Sequence, residues 1–267
     1  MIINEVTKED SLVKLIQKGN EVGRIYSIDY ETALVLTNDT WKRKVNGVPQ
    51  NSFLIATNID VDTYSLQNEF DKEVILLRVI GSCKLPQDDD NIRTKLDSIQ
   101  DSTSFENEQQ TFDKLTQNML QFSGLQCRVL GTFYMKNQEL QLGSDIENFS
   151  ASLTQKVYVP KGDALKIIVN YVDPIRKNKS KEDFKALGIT TDVSPFKIGT
   201  VRYTSADRLQ RNETESFVPV EIQPSDFLAR RTAVLGMTRT GKSNMVKQTV
   251  SVVKDISDKS NLPIHKI

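Results

Sequence analysis

The most constraining feature of this sequence is a glycine-rich stretch near its C-terminal end, Gly236–Ser243, which reads GMTRTGKS. It fits the pattern of a phosphate-binding loop, in which two glycines and a Lys-Ser pair lie between a buried strand and a helix. Thr232–Gly236 (TAVLG) predicts the strand. Apolar residues then recur at helical spacing, at Met245, Val246, Thr249, Val250, Val253 and Ile256. We therefore expect strand, loop and helix in this order, and binding of a nucleotide.

The loop residues have distinct chemical roles in this prediction. Backbone N–H groups between Thr238 and Ser243 would converge on the β-phosphate, and the dipole of the following helix would add to them. Lys242 would place its charge between the β- and γ-phosphates, and Ser243 would offer its hydroxyl to Mg²⁺. Lys242 and Ser243 are thus the predicted catalytic residues, and Ser243 the metal ligand. The predicted ATP-binding residues are Gly236, Met237, Thr238, Arg239, Thr240, Gly241, Lys242, Ser243 and Asn244.

Arg239 is the unusual member of this loop, and two interpretations of it stay open. A long cation at this position could lean over the phosphates or reach a neighbouring subunit. It could equally be a solvent-facing side chain at a permissive position.

Composition limits the possible partners. The 267 residues contain 35 Lys and Arg against 35 Asp and Glu, so the net charge is zero and any nucleic-acid contact must come from a local patch. No apolar run reaches the length of a membrane span, and the N-terminus lacks the pattern of a signal peptide, so we expect a cytoplasmic protein without a membrane partner. Cys83 and Cys127 are expected to be free buried thiols, and a single histidine makes a zinc site improbable.

The chain before the loop is rich in strand signals. Short β-branched runs separated by Asp, Asn and Gly begin at Glu21, and Asn46-Gly47 predicts a tight turn. A few helical turns are expected before them, ending at Gly19. We predict a mixed fold: a β-rich domain over residues 1–222 with a helical insertion at about 86–124, followed by the opening of an α/β unit at 223–267.

The insertion has two halves. The first, around Asp88–Asp90, is expected to be an acidic loop without regular structure, and the second carries the stripe of an amphipathic helix at Phe112, Leu115, Met119 and Phe122. Further along, Ala164–Val172 (ALKIIVNYV) predicts a strand, and Lys181–Leu187 a short helix ended by Gly188.

Three passages resemble the HerA family of hexameric, FtsK-like DNA-translocating ATPases. Glu21–Ala56 and Cys127–Phe149 are similar to the N-terminal HAS barrel of that family, and Val218–Asn244 is similar to its passage from barrel to ATPase core. The resemblance covers most of the chain outside the insertion, and it implies that residues 1–222 form a β-barrel and residues 223–267 the start of a P-loop α/β ATPase core. The Gly-Lys-Ser loop alone is not family-specific, but its combination with a preceding barrel is much more so.

The resemblance implies an activity and a set of partners. Such a protein is a hexameric ring that hydrolyses ATP with Mg²⁺ and moves DNA through its centre, together with a nuclease or another effector, in DNA processing or in bacterial defence against phage. In this family the core continues past the loop to acidic residues that hold the metal and polarise water. Leu262–Ile267 is similar to the first residues of that next strand, and no acidic residue follows it. We therefore expect an N-terminal piece of a longer protein, inactive by itself.

Competing hypotheses remain at this point. The chain could be a non-catalytic module for oligomerisation and partner docking, with an incomplete nucleotide loop. A GTPase or small-molecule kinase is a third possibility, although the sequence has no Asn-Lys-x-Asp tetrad. Trp41 with Lys42–Lys44 could grip a nucleic acid, or could be a charged hairpin tip anchored by a half-buried tryptophan.

Overall fold

The computed structural model divides into two compact units, which are considered separately. The barrel unit comprises Met1–Ala164 and Arg202–Glu213, and the helical unit comprises Leu165–Val201 and Thr214–Ile267. The predicted domain division after residue 222 stays a prediction. The structure describes residues 11–16, 19–104, 120–147, 154–186, 188–189, 194–204, 217–228, 231, 233–237 and 241–260.

Six antiparallel strands of the barrel unit form a closed ring. The strand bounds of this unit are β1 Asn20–Ile28, β2 Thr32–Asn38, β3 Phe53–Thr57, β4 Val74–Cys83, β5 Phe122–Lys136, β6 Glu139–Gly143 and β7 Lys156–Val159. Going round the ring, the strands follow the order β1, β2, β5, β4, β3, β7, and β7 pairs with β1 to close it. The remaining strand, β6, pairs with the end of β5 as a hairpin. The predicted β-barrel is confirmed.

The interior of the barrel follows from the alternation of side chains along its strands. In β2, Ala33 and Val35 are fully buried, and the next inward position, Thr37, donates its hydroxyl to the backbone oxygen of Val22 at 2.6 Å. A buried hydroxyl thereby finds an acceptor without interrupting the apolar core. The buried core also includes Val22, Ile25, Leu54, Ala56, Ile75, Leu77, Val79, Cys127, Val129 and Val157.

One glycine is required where β5 bends. Gly131 has a φ of +148°, and a Cβ atom added there would collide with the backbone oxygen of Gly143 on β6. The β4–β5 register shifts between Leu76 and Leu77, next to this position. Such irregularities increase the local bend of a strand, which a small closed barrel needs.

Two short helices lie in the described part of the barrel unit; the first confirms the helical turns predicted before Gly19, and the second was not predicted. Helix α1 (Ser11–Ile16) buries four apolar residues, and the N–H of Gly19 closes its end on the backbone oxygen of Ile16 at 2.8 Å. Helix α2 (Asp39–Lys44) follows β2, capped by the Asn38 side chain. The predicted turn lies directly after α2, with φ of +60° at Asn46 and +91° at Gly47.

The insertion differs from its prediction at both ends. Asp88–Asp90 do not form an irregular loop; they begin helix α3 (Asp88–Ser104). Three carboxylates suit the positive end of a helix dipole, and Asp88 accepts the N–H of Leu85 at 2.8 Å. Phe122, predicted on a helix, is instead the first residue of β5, so the insertion ends before it. The predicted helix positions Phe112, Leu115 and Met119 lie outside the described residues.

The predicted strand at Ala164–Val172 is wrong, because helix α4 (Gly162–Val169) occupies most of it. Ala164, Leu165 and Ile168 are buried while Lys166 is exposed, which is a helical spacing. The β-branched residues of this segment favour a strand, but a short apolar run fits a buried strand and a buried helix equally well. Among the described residues, no helix combines the length and apolar character needed to cross a membrane.

In addition to most of α4, the described part of the helical unit contains two α-helices and two strands, and both of these helices contribute to a small core. These elements are α5 (Pro174–Ala186), the antiparallel pair β8 (Phe196–Thr200) and β9 (Pro219–Ile222), and α6 (Lys242–Ser260). Helix α5 begins earlier than the predicted Lys181 and ends at Ala186, and the predicted cap at Gly188 is confirmed: Gly188 has a φ of +81°, and the N–H of Ile189 donates to Phe184 O at 2.9 Å. The buried members of this core are Phe184, Ile189, Leu228, Val252 and Ile256.

Candidate nucleotide-binding site

The two ends of the predicted phosphate loop are joined by its lysine. The Lys242 ammonium donates to the backbone oxygens of Gly236 and of Met237, the latter at 3.1 Å. The carbonyl contacts were not foreseen from the sequence, because no pattern of residue types encodes a bond to backbone. They hold the first and last parts of the loop close together.

The predicted helix after the loop is confirmed. Helix α6 begins at Lys242, and Gly241 before it has a φ of +92°, a left-handed conformation that favours glycine. The N–H of Met245 donates to the backbone oxygen of Gly241 at 3.0 Å, which fixes the first turn. The N–H groups of Lys242 and Ser243 have no acceptor within the helix, so they are free to point at an anion beyond its N-terminus.

The predicted strand before the loop is not formed in the described residues. Thr232 lies outside them, and residues 233–237 have irregular backbone, with Leu235 90% exposed. A strand needs hydrogen-bonded neighbours, and no described strand pairs with this segment. The apolar run that indicates a buried strand in the sequence therefore stays at the surface.

Helix α6 is packed along only part of its length. Its C-terminal half buries Val252 and Ile256 in the core of the helical unit. Its N-terminal half leaves Met245, Val246 and Val250 more than half exposed. The predicted apolar stripe is real, but the half beside the phosphate loop has no packing partner among the described residues.

The remaining predicted site residues are distributed as follows. Ser243 and Asn244 lie in the first turn of α6 with exposed side chains, as a metal ligand and a phosphate contact require. Thr238, Arg239 and Thr240 lie outside the described residues, so both interpretations of Arg239 stay open. The structure thus brings Gly236, Met237, Gly241 and Lys242 together and leaves the loop's assignment as an ATP site a prediction.

The alternative nucleic-acid site at α2 is largely occupied by internal contacts. The Trp41 ring packs edge-on against Phe122, with ring centroids 6.4 Å apart. The Lys42 ammonium bonds to Asp39 at 2.8 Å and to Ser123 at 3.0 Å. These contacts favour a charged tip anchored by a half-buried tryptophan.

Several groups in the barrel unit have raised pKa values for structural reasons, among them Cys127 and Glu73. Burial raises the pKa of Cys127 to about 12, with a smaller contribution from Cys83, so this thiol stays protonated and unreactive. Both cysteines are free, as predicted, although Cys83 is only half-buried. Burial, helped by Asp71 and Glu147, raises the pKa of Glu73 to about 7. Among the described residues, no cluster of three His, Cys, Asp or Glu side chains could hold a metal ion.

Comparison with known proteins does not assign the chain to a family. The chain matches no protein-family model, and a search of curated proteins finds no significant match.

Proposed function

We propose that this chain is the N-terminal part of a HerA-type ATPase, a hexameric motor that hydrolyses ATP to move DNA. The observation that carries the proposal is the joined phosphate loop, in which Gly241 turns into α6 and the Lys242 ammonium lies at the first residues of the loop. The closed antiparallel barrel in the same chain supports the comparison with the HAS barrel. Localisation in the cytoplasm is part of the same proposal.

The residues present fit a nucleotide with its metal ion. The amides at the start of α6 and the Lys242 ammonium supply donors for phosphate oxygens, and the exposed Ser243 hydroxyl supplies an oxygen ligand for Mg²⁺. ATP would bring the reactive phosphoryl group, and Mg²⁺ would neutralise its charge. The Lys242 ammonium has three N–H donors, of which two bond to the backbone oxygens of Gly236 and Met237, so the third could bond to a phosphate oxygen.

The test is ATP hydrolysis and particle mass, measured with and without duplex DNA. A protein that continues past Ile267 with the acidic residues of the family is expected to hydrolyse ATP faster when DNA is added and to form a hexamer. Lys242→Ala should abolish the hydrolysis without preventing assembly. A monomer with and without Mg-ATP would contradict the ring.

A second candidate function is supported by the exposed face beside the loop. Residues 233–237 form no strand, and the first half of α6 has no packing partner among the described residues. In this alternative, the chain is a non-catalytic module that oligomerises or docks an effector or nuclease through its barrel. ATP turnover by this chain alone would exclude the alternative, whereas assembly without turnover would support it.

A further inference from the structure

A row of three lysines runs along one side of α5 in the helical unit. Lys177, Lys181 and Lys185 follow one another at intervals of four residues, and all three side chains are exposed. One helical turn of four residues advances about 6 Å, so the row is about 12 Å long. We call these residues the lysine row.

Helix α5 is anchored to the rest of the helical unit by residues next to the lysine row, and the three lysine side chains stay exposed. Phe184 is buried in the core of the helical unit, and the Ser180 hydroxyl bonds to the Ser225 hydroxyl at 2.5 Å. The helix ends are fixed as well, because Asp173 accepts the N–H of Ile175 at 2.8 Å and Gly188 closes the C-terminus. The lysines are therefore presented on a rigid element.

This placement of charge costs the helix stability. Equal charges four residues apart on a helix repel each other. Arg176 and Lys177 lie near the N-terminus of α5, where the dipole disfavours cations, and the first turn has no acidic residue. None of the three lysines has an ion-pair partner among the residues that the structure describes. An external anion would remove this repulsion.

We propose that the lysine row binds the phosphate backbone of duplex DNA without reading its sequence. Lysine is common at phosphate contacts, whereas it is depleted at protein–protein interfaces, where aromatic and arginine anchors dominate. The lysine row contains neither kind of anchor. Residues 174–186 carry five cations against two acids, a net charge of +3, in a chain whose total is zero. The inference rests on the proposed function only for the choice of DNA as the polyanion.

The experiment measures binding of the chain to a fluorescent duplex DNA of mixed sequence, by anisotropy, between about 50 and 200 mM salt. The variant with Lys177→Gln, Lys181→Gln and Lys185→Gln should bind about tenfold or more weakly at the lowest salt. Its slope of log affinity against log salt should be smaller by about 2–3, since each phosphate contact contributes about 0.9. Replacing the same three lysines by arginine should preserve binding.

A matched control removes three charges elsewhere. Lys14, Lys136 and Lys254 are exposed and have no ion-pair partner in the described part of the chain. Their combined change to Gln should leave the salt slope unchanged. Equal losses in the two triple variants, or full affinity in the lysine-row variant, would overturn the proposal. So would displacement of the DNA by polyglutamate at equal charge concentration, because the row would then be a site for acidic protein.

The failure of this inference is distinguishable from failure of the proposed function. Lys242→Ala should remove Mg-ATP binding and leave duplex binding intact. The lysine-row variant should show the opposite pattern. If the native chain binds only Mg-ATP or only duplex DNA, the binding that is not observed identifies which of the two proposals is wrong.

Discussion

In the barrel unit, each of the six strands of the ring has a hydrogen-bonded neighbour on both sides, whereas the first half of α6 leaves its apolar side chains more than half exposed. Val35 in β2 is fully buried, but Val250 in α6 is 64% exposed, although both belong to apolar patterns of the sequence. The comparison shows that an apolar pattern becomes a core only where the chain supplies a second surface. A closed sheet supplies its own, and the first half of α6 finds none among the described residues.

The largest expected effect tests the closure of the barrel. Gly131→Ala should destabilise the barrel unit by about 3 kcal/mol or more, because the φ of +148° is strained for alanine and its Cβ collides with Gly143 O. Urea unfolding followed by the fluorescence of Trp41, the sole tryptophan, reports on this unit. Gly81→Ala is the control, since a Cβ there meets no atom within 4 Å. Equal stability of the two variants would contradict the closed-barrel geometry.

Three valine-to-alanine changes sharpen the comparison of the two regions. Val35→Ala should cost about 2 kcal/mol, because two buried methyl groups are lost from the closed core. Val252→Ala should cost about 1 kcal/mol in the smaller core of the helical unit, and Val250→Ala should be neutral or slightly stabilising through helix propensity. Urea unfolding measures the first change, and hydrogen exchange of the α6 amides measures the other two. Equal effects at Val250 and Val252 would mean that the exposed face is covered in solution.

The smallest expected effect depends on pH and concerns the barrel unit alone. Burial raises the pKa of Glu73 from its ordinary value of 4.5 to about 7, so the folded barrel keeps a proton that the unfolded chain releases. Its contribution to stability is therefore lost as pH rises from about 4.5 to 7. Glu73→Gln should gain about 1 kcal/mol over the native chain at pH 8 and little at pH 4, a modest figure because the side chain is half-exposed.

Urea unfolding at the two pH values measures this difference. The exposed residue Glu139, changed to Gln, is the control for removal of a carboxylate at the surface. A Glu73→Gln variant that tracks the native chain at every pH would show that this carboxyl is well solvated.

Local features of the fold were predictable from the sequence, and long-range ones were not. Short β-branched and aromatic runs between turn residues predicted the strands around Val22, Val35 and Leu54, because such side chains favour a sheet and Asp, Asn and Gly favour the turns. The pairing of β2 with β5, which closes the barrel, joins segments about ninety residues apart, and no local pattern encodes it. Helix α4 was misassigned because its apolar run is short enough to fit either period.

The candidate site divides in the same way. The helix that begins at Lys242 was predictable from the helical spacing of its apolar residues, and the turn before it from the glycine at position 241. The sequence of residues 232–236 alone could not decide whether they form a strand, because a strand needs hydrogen-bonded neighbouring strands. The lysine row was not predicted, because the net charge of the whole chain is zero and a local cluster does not show in that number. The four-residue spacing of the three lysines was the signal in the sequence that could have revealed it.

The most direct test of the central claim is calorimetric titration of this chain with Mg-ATP, beside Lys242→Ala. If the loop is a phosphate site, the native chain should bind Mg-ATP saturably. The variant should bind at least about tenfold more weakly, as expected for the loss of a charge-assisted hydrogen bond of about 1.5–3 kcal/mol. No binding by the native chain, or equal affinity in the two proteins, would contradict the account.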